Sequence, residues 1–218
     1  MKIEKFSDEH LDFITEMMNI GAGNAANALS ILLDSKVEVK QPKVNIEFSD
    51  TIVKRIGDLS LPVLCVKIAV VGDLFGDMFF ILPEKDKEAI VHLAEMSIIR
   101  KKRKGQLDLS AVKEIANILA GTYLTAIHDF CKIKVYHSVP NLIIDMVQSI
   151  FDEYLASVAE TGKNFIVVEN EFTVMINDER EKTPTSSFKL LLVLAPNVDS
   201  IQKLAGSSDE AKKILNIR

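Results

Sequence analysis

The stretch Asp12–Pro42, DFITEMMNIGAGNAANALSILLDSKVEVKQP, decides the fold because the chain writes it twice. Ser110–Pro140, SAVKEIANILAGTYLTAIHDFCKIKVYHSVP, is the second copy, at an offset of 98 residues. Each copy places Glu four residues after its first anchor and Asn three after that. A Pro follows after another 22 residues. The anchors are Asp12, Glu16, Asn19 and Pro42, then Ser110, Glu114, Asn117 and Pro140. Between them Ile20 matches Ile118, Ala22 matches Ala120, Gly23 matches Gly121, Lys36 matches Lys134 and Val37 matches Val135. A period of roughly 100 residues exceeds the ~20–50 of solenoid units, so the repeat implies a duplicated α/β half.

The downstream parts agree as well. Gly76–Pro83 and Phe188–Pro196 are apolar runs that each precede a charged amphipathic stretch, Glu84–Glu95 and Asn197–Gly206. Extra residues around Asn177–Ser187 read as a longer hairpin loop in the second half. Helical periodicity covers His10–Leu33, with Leu11, Ile14, Met18 and Ala22 on one face and Ser7 or Asp8 as cap. Gly21 and Gly23 are expected to break or tighten that helix. Val37–Phe48 reads as extended, with Pro42 at an edge or bulge. A short helix at Asp50–Ile56, strands at Leu61–Val71 and Asp77–Leu82, and a helix at Glu84–Ile99 complete the first half. The second half reads as helix (Leu109–Phe130), extended stretch (Lys132–Pro140), longer helix (Leu142–Ala159), strands (Asn164–Met175 and Phe188–Leu194) and a last helix. The Arg100–Lys104 run reads as a solvated loop where the halves meet. Each half alone has few strands for a stable layer. The expected fold is therefore α/β (α+β): a pseudo-two-fold duplicated domain with helices packed on a mostly antiparallel β-sheet. One domain, 1–218, would hold repeats of about 1–104 and 105–218.

Composition excludes several classes. The 218 residues carry 26 Lys+Arg and 31 Asp+Glu, a net charge of −5. A nucleic-acid binder needs a basic face, so none is expected as partner. Cys65 and Cys131 each lie in an apolar stretch and read as buried thiols. Four scattered histidines show no metal-ligand spacing. Apolar runs fall short of the ~18 residues that cross a bilayer, and the charged N-terminus lacks a signal-peptide core. A cytoplasmic protein without membrane insertion is expected.

On a helix, offsets of 0, 4 and 7 fall in one narrow stripe. Asp12, Glu16 and Asn19 share such a stripe, as do Ser110, Glu114 and Asn117. A polar stripe is most often a solvated face. Two copies at matched spacing, each tied to a proline while their surroundings diverge, favour function. A Glu and an Asn one turn apart offer no nucleophile, no imidazole base and no metal cluster. An amide can, however, donate to a water and accept from it. Orienting a water in line supplies much of phosphoryl transfer, so the fitting target is a phosphorylated protein that already holds a metal and a lysine.

These residues carry a family resemblance. The two signatures, the segment Asn19–Ser30 (NIGAGNAANALS), and Asn117–Leu119 with Tyr123 resemble the CheC family of chemotaxis phosphatases, over nearly the whole chain. Among the members, CheX keeps one signature and dimerises, while FliY adds a switch domain for which no length remains after the second repeat. The resemblance is to the branch with both signatures intact. It implies dephosphorylation of the aspartyl-phosphate of the response regulator CheY. Glu16 and Glu114 would pair with the regulator's lysine, and Asn19 and Asn117 would orient the water. Mg²⁺ would belong to the regulator, with no cofactor in this chain. Asp12 and Ser110 occupy the first signature position, and Pro42 and Pro140 would shape the supporting strand. The deamidase CheD is a further partner implied by the resemblance.

Two other readings compete. Gly21–Ala26 fits G-x-G-x-x-A, the dinucleotide fingerprint, but lacks the preceding strand that motif requires. Its small residues would instead let helices approach closely. A non-catalytic module that sequesters CheY-P or CheD, or a flagellar-switch-like component, would not need the Glu–Asn pairs.

Overall fold

The computed structural model describes residues 7–48, 51–52, 56, 62–83, 86, 109–156, 164–175, 185–197, 199–201, 203–204 and 206–207. The first copy opens with α1 (Asp8–Leu33). Ser7 caps it by accepting from the His10 N–H, while the His10 side chain accepts from the Ser7 N–H. Asp8 and Glu9 place negative charge at the positive end of the helix dipole. The helix runs unbroken through Gly21 and Gly23, contrary to the expected interruption. It stops at Asp34, which turns left-handed (φ 49°) and donates its N–H to the Ser30 carbonyl. The second copy stops in the same way. After α2 (Leu109–Cys131), Lys132 is left-handed (φ 55°) and its N–H reaches the His128 carbonyl at 2.8 Å. Both pairs, 34 with 132 and 30 with 128, keep the 98-residue offset.

Beyond each helix an edge strand is cut in two by its proline, which has no N–H for the ladder. β1 (Lys36–Val39) and β2 (Lys43–Phe48) flank Pro42. The hairpin β3 (Pro62–Gly72) and β4 (Gly76–Leu82) follows. In the second copy β5 (Val135–His137) and β6 (Asn141–Met146) flank Pro140. The short helix α3 (Val147–Ala156) precedes the hairpin β7 (Asn164–Met175) and β8 (Thr185–Pro196). The sequence expectation of a helix over Leu142–Ala159 is corrected here: its first residues form β6, because the β3 edge is free to take them as a ladder from Pro62↔Met146 to Lys67↔Asn141. The 98-residue offset maps β6 onto β2, so the repeat already contained that answer.

Among the described residues the pairings are all antiparallel, in the order β1-β7-β8-β4-β3-β5, with β2 also on β7 and β6 also on β3. Each copy's edge strand therefore lies on the other copy's hairpin. The registers are equivalent: Phe48 faces Asn164 as Met146 faces Pro62, and Val39 faces Phe172 as His137 faces Val70. At the centre, the β4–β8 pair Phe80↔Leu192 maps onto itself. In the hairpins, Leu64↔Leu82 corresponds to Ile166↔Leu194, so the second spans ten residues more. Of the stretch read as its longer loop, Thr185–Ser187 belong to β8 and 177–184 lie outside the described residues.

Side chains alternate between two cores. Leu64, Val66, Ile68 and Val70 join Ile166, Val168, Leu192 and Leu194 beneath α1 and α2. Val63, Cys65, Phe79, Phe165 and Val167 face the other way, against Val147, Phe151 and Tyr154 of α3 and against Ile52. Ile52 and Ile56 are helical, as expected for Asp50–Ile56. The expected helix at Glu84–Ile99 (Asp86 aside) and the Arg100–Lys104 run lie outside the described residues. The fold is α+β: helices on both faces of an antiparallel, internally duplicated sheet.

Candidate functional site

The two candidate helices lie side by side and antiparallel. Phe13 meets Phe130 edge-on at 5.8 Å, Met17 Sδ lies 3.8 Å from Cys131 Sγ, and Gly21 meets Tyr123. A Cβ on Gly21 would stand 2.5 Å from Tyr123 Cδ1, so the glycine is a notch for that ring. Tyr123 is buried and donates its hydroxyl to Asn170 Oδ1 at 2.7 Å. Burial pushes its phenol pKa up, against the smaller opposing effect of that hydrogen bond. The buried face of α1 carries Ile14, Met17, Met18, Ala22, Ala25 and Leu29. That of α2 carries Val112, Ile115, Ala116, Leu119, Ala120 and Ile127. Leu11 and Ile118 are only half-buried.

The signature residues stand on the opposite faces. Asp12, Glu16, Ser110 and Glu114 are exposed, and Asn19 and Asn117 are half-buried. Among the described residues no hydrogen bond or ion pair holds Glu16, Glu114 or Asn117. Asn19 Oδ1 is buried and accepts no hydrogen bond. Leaving such an acceptor unpaired costs about 1–3 kcal/mol. Because the helices are antiparallel, the two Glu–Asn pairs lie toward opposite ends of the helix pair. With Gly21 level with Tyr123, Asn19 and Asn117 are roughly 12 Å apart along the axes. The structure thus brings Glu16 to Asn19 and Glu114 to Asn117, one turn each, and does not merge them into one centre. Pro42 is buried and Pro140 half-buried, each at the break in its edge strand.

Cys65 and Cys131 are free and buried. Desolvation pushes their thiols up to about 12 and about 11, so neither is a thiolate at neutral pH. Gly21–Ala26 lies inside α1, without the strand-to-helix turn of a dinucleotide site. Among the described residues no group of three or more His, Cys, Asp or Glu could hold a metal ion. No described helix is long and apolar enough to cross a membrane. One feature escaped the sequence reading: a cleft of about 470 Å³ where α2 meets β5, lined by Gly121, Thr125, His128, Lys134, Tyr136 and His137, among others. Its residues come from α2 and from Lys134–His137, and no spacing in the sequence joins the two.

Comparison with known proteins follows the same repeat. The CheC-like family model matches residues 9–46 and again 107–144, at the 98-residue offset. The CheY-P phosphatase CheC of Bacillus subtilis is 31% identical over 200 residues, covering 90% of this chain and 92% of that protein. The flagellar motor switch phosphatase FliY of Bacillus subtilis is 24% identical over 160 residues, 67% of this chain and 39% of its own length. The crystal structure of Thermotoga maritima FliY has a TM-score of 0.68 at 23% identity, covering 95% of this chain and 99% of that one. FliM of H. pylori, from its complex with SpeE, has a TM-score of 0.62 at 11% identity over 95% of this chain and 98% of its own. Those two structures speak for the fold alone. With a relative this similar along most of both sequences and a family model that matches each copy at the same positions, the chain belongs to the CheC-like family.

Proposed function

We propose that the chain is a phosphatase that hydrolyses the aspartyl-phosphate of the chemotaxis response regulator CheY at two sites, Glu16–Asn19 and Glu114–Asn117. One observation carries this reading. Two repeat-related helices present the same unpartnered carboxylate one turn from the same amide, on the faces turned away from the core. A free carboxylate is suited to pair with a lysine on a docking protein. The amide is suited to hold a water with one donor and one acceptor, without acting as a strong base. The regulator supplies the phosphoryl group, the lysine and Mg²⁺; this chain supplies position. The unpaired Asn19 oxygen supports the reading, since turning that amide outward onto a water relieves a buried, unsatisfied acceptor. Asp12 and Ser110 stand one turn before each Glu, at the rim of the docking face. The 218 residues act as one domain of two repeats, about 1–104 and 105–218, with one site each.

The test is release of phosphate from phosphorylated CheY. Asn19→Ala with Asn117→Ala is expected to lower catalysed turnover by ~10²-fold or more, by analogy with loss of a single oriented donor. Either single variant retains the activity of the other site. If the double variant turns over like the parent, the chain is a binding module and the catalytic reading is wrong.

A further inference from the structure

The cleft between α2 and β5 continues the second site. Counting from Glu114, residues Asn117, Gly121, Thr125 and His128 fall within an arc of about 80° on α2. Gly121 stands one turn past Asn117 and leaves the way open: the nearest foreign atom to a Cβ built there is His137 Nε2, at 4.0 Å. The floor and far wall are polar. His128 gives its Nδ1–H to the Ile133 carbonyl at 2.6 Å, and His137 gives its own to the Ser138 carbonyl at 3.0 Å. A carbonyl only accepts, so Nδ1 carries the proton in both rings and each Nε2 remains for a ligand. Among the described residues the Lys134 ammonium and the Tyr136 hydroxyl have no hydrogen-bond or ion-pair partner. No described residue lining the cleft is acidic, in a chain of net charge −5.

The first copy is an internal control. At the same positions it has Ser30 for His128, Glu38 for Tyr136 and Val39 for His137. Ser30 is tied down, donating to the Ala26 carbonyl at 2.8 Å and accepting from the Val37 N–H at 2.9 Å. Lys36, the counterpart of Lys134, is neutralised by Glu38 at 2.6 Å. The first copy thus ties down and neutralises the groups that the second copy leaves free.

We infer that this cleft is a docking subsite for an acidic side chain on the surface of the regulator, and that it makes the second site the more selective of the two. The inference rests on the proposed partner. A regulator seated on Glu114 and Asn117 buries on the order of 800 Å² of this chain. Such a footprint reaches past Gly121, about 6 Å further along the helix. Lys134 steers and holds an incoming carboxylate, Tyr136 supplies a hydroxyl donor, and the Nε2 atoms of His128 and His137 donate to it in the imidazolium form.

The test uses the full chain carrying Asn19→Ala, so that only the second site turns over. Adding Lys134→Glu, an exposed residue, is expected to raise KM for phosphorylated regulator about tenfold, to change kcat less than twofold, and to flatten the salt dependence of kcat/KM. An unchanged KM overturns the inference, as does an equal rise when Lys134→Glu is placed on Asn117→Ala. Binding of phosphorylated regulator to the Asn19→Ala, Asn117→Ala variant, followed by fluorescence anisotropy, separates this inference from the catalytic one. If Lys134→Glu weakens that binding while the parent chain releases no phosphate, the cleft stands and the phosphatase reading falls. If the parent chain binds no regulator, both fall. If millimolar inorganic phosphate shifts the His128 and His137 ring resonances while regulator binding ignores Lys134→Glu, the cleft holds a small anion and the docking role is overturned.

Discussion

Gly21 and Gly23 lie two residues apart on α1 and are constrained from opposite directions. Gly21 faces the Tyr123 ring, and a methyl there has no room. Gly21→Ala is expected to cost about 1–3 kcal/mol of stability through overpacking, read as a lower midpoint in urea. A Cβ on Gly23 meets nothing within 4 Å. A mid-helix glycine in open space costs about 1 kcal/mol against alanine, so Gly23→Ala is expected to raise the midpoint. Nothing within the fold calls for that glycine, nor for its counterpart Gly121. Both stand one turn beyond the Asn of a Glu–Asn pair, where a partner's backbone would come closest. Gly23→Ala in an Asn117→Ala background is therefore expected to be more stable yet to show a raised KM for phosphorylated CheY. A stabilised variant with the parent's KM would leave the glycine without a role in docking. At this scale the sequence was most informative about polar residues. Glu16, Asn19, Glu114 and Asn117 stand out as candidates because two copies kept them while neighbours changed. The cleft does not, because His128, Lys134 and Tyr136 gain meaning only when α2 and β5 are brought together.

The elements were legible where local chemistry chooses them and misread where pairing does. The α1 helix needed only its apolar period and the Ser7 cap, and its end at Leu33 matches the expected end. Leu142–Met146 reads as helix in the sequence because a short apolar run fits either period, and only the free β3 edge decides for strand. The left-handed turn that stops each helix is not legible in the sequence. Asp34 and Lys132 both adopt left-handed backbone without being glycine. Such a conformation costs a side-chain-bearing residue about 1–2 kcal/mol, less for Asp, whose short side chain bonds locally. Lys132→Gly is thus expected to stabilise the chain by about 1 kcal/mol, and Asp34→Gly by less, in thermal or urea unfolding. An equal or reversed order would mean that contacts of the Lys132 side chain, not backbone strain, govern this stop.

At the scale of the whole molecule, the repeat was visible in the sequence and the way its halves join was not. Hydropathy marks strands but not partners, and nothing in Lys43–Phe48 announces pairing with residues more than a hundred positions away. The structure shows that each half gives its edge strand to the other and that β4 and β8 meet across a pseudo-two-fold at Phe80↔Leu192. A half therefore cannot complete its own sheet: residues 105–218 alone would expose the β7 edge that β1 and β2 cover and leave β5 and β6 without β3. Exposed edges of this kind seek a second chain. Because the registers of the two halves are equivalent, a second copy of the same half can supply what is missing. β5 and β6 of one copy would lie on β7 of the other, and β8 would pair with β8 about Leu192. The fragment 105–218 is accordingly expected to form a strand-exchanged, two-fold dimer, with twice the fragment mass in light scattering after size exclusion. Its unfolding midpoint should rise with protein concentration, since folding and association are then one equilibrium. A folded fragment of monomer mass with a concentration-independent midpoint would show that the exchanged edges are dispensable and that each half carries its own core.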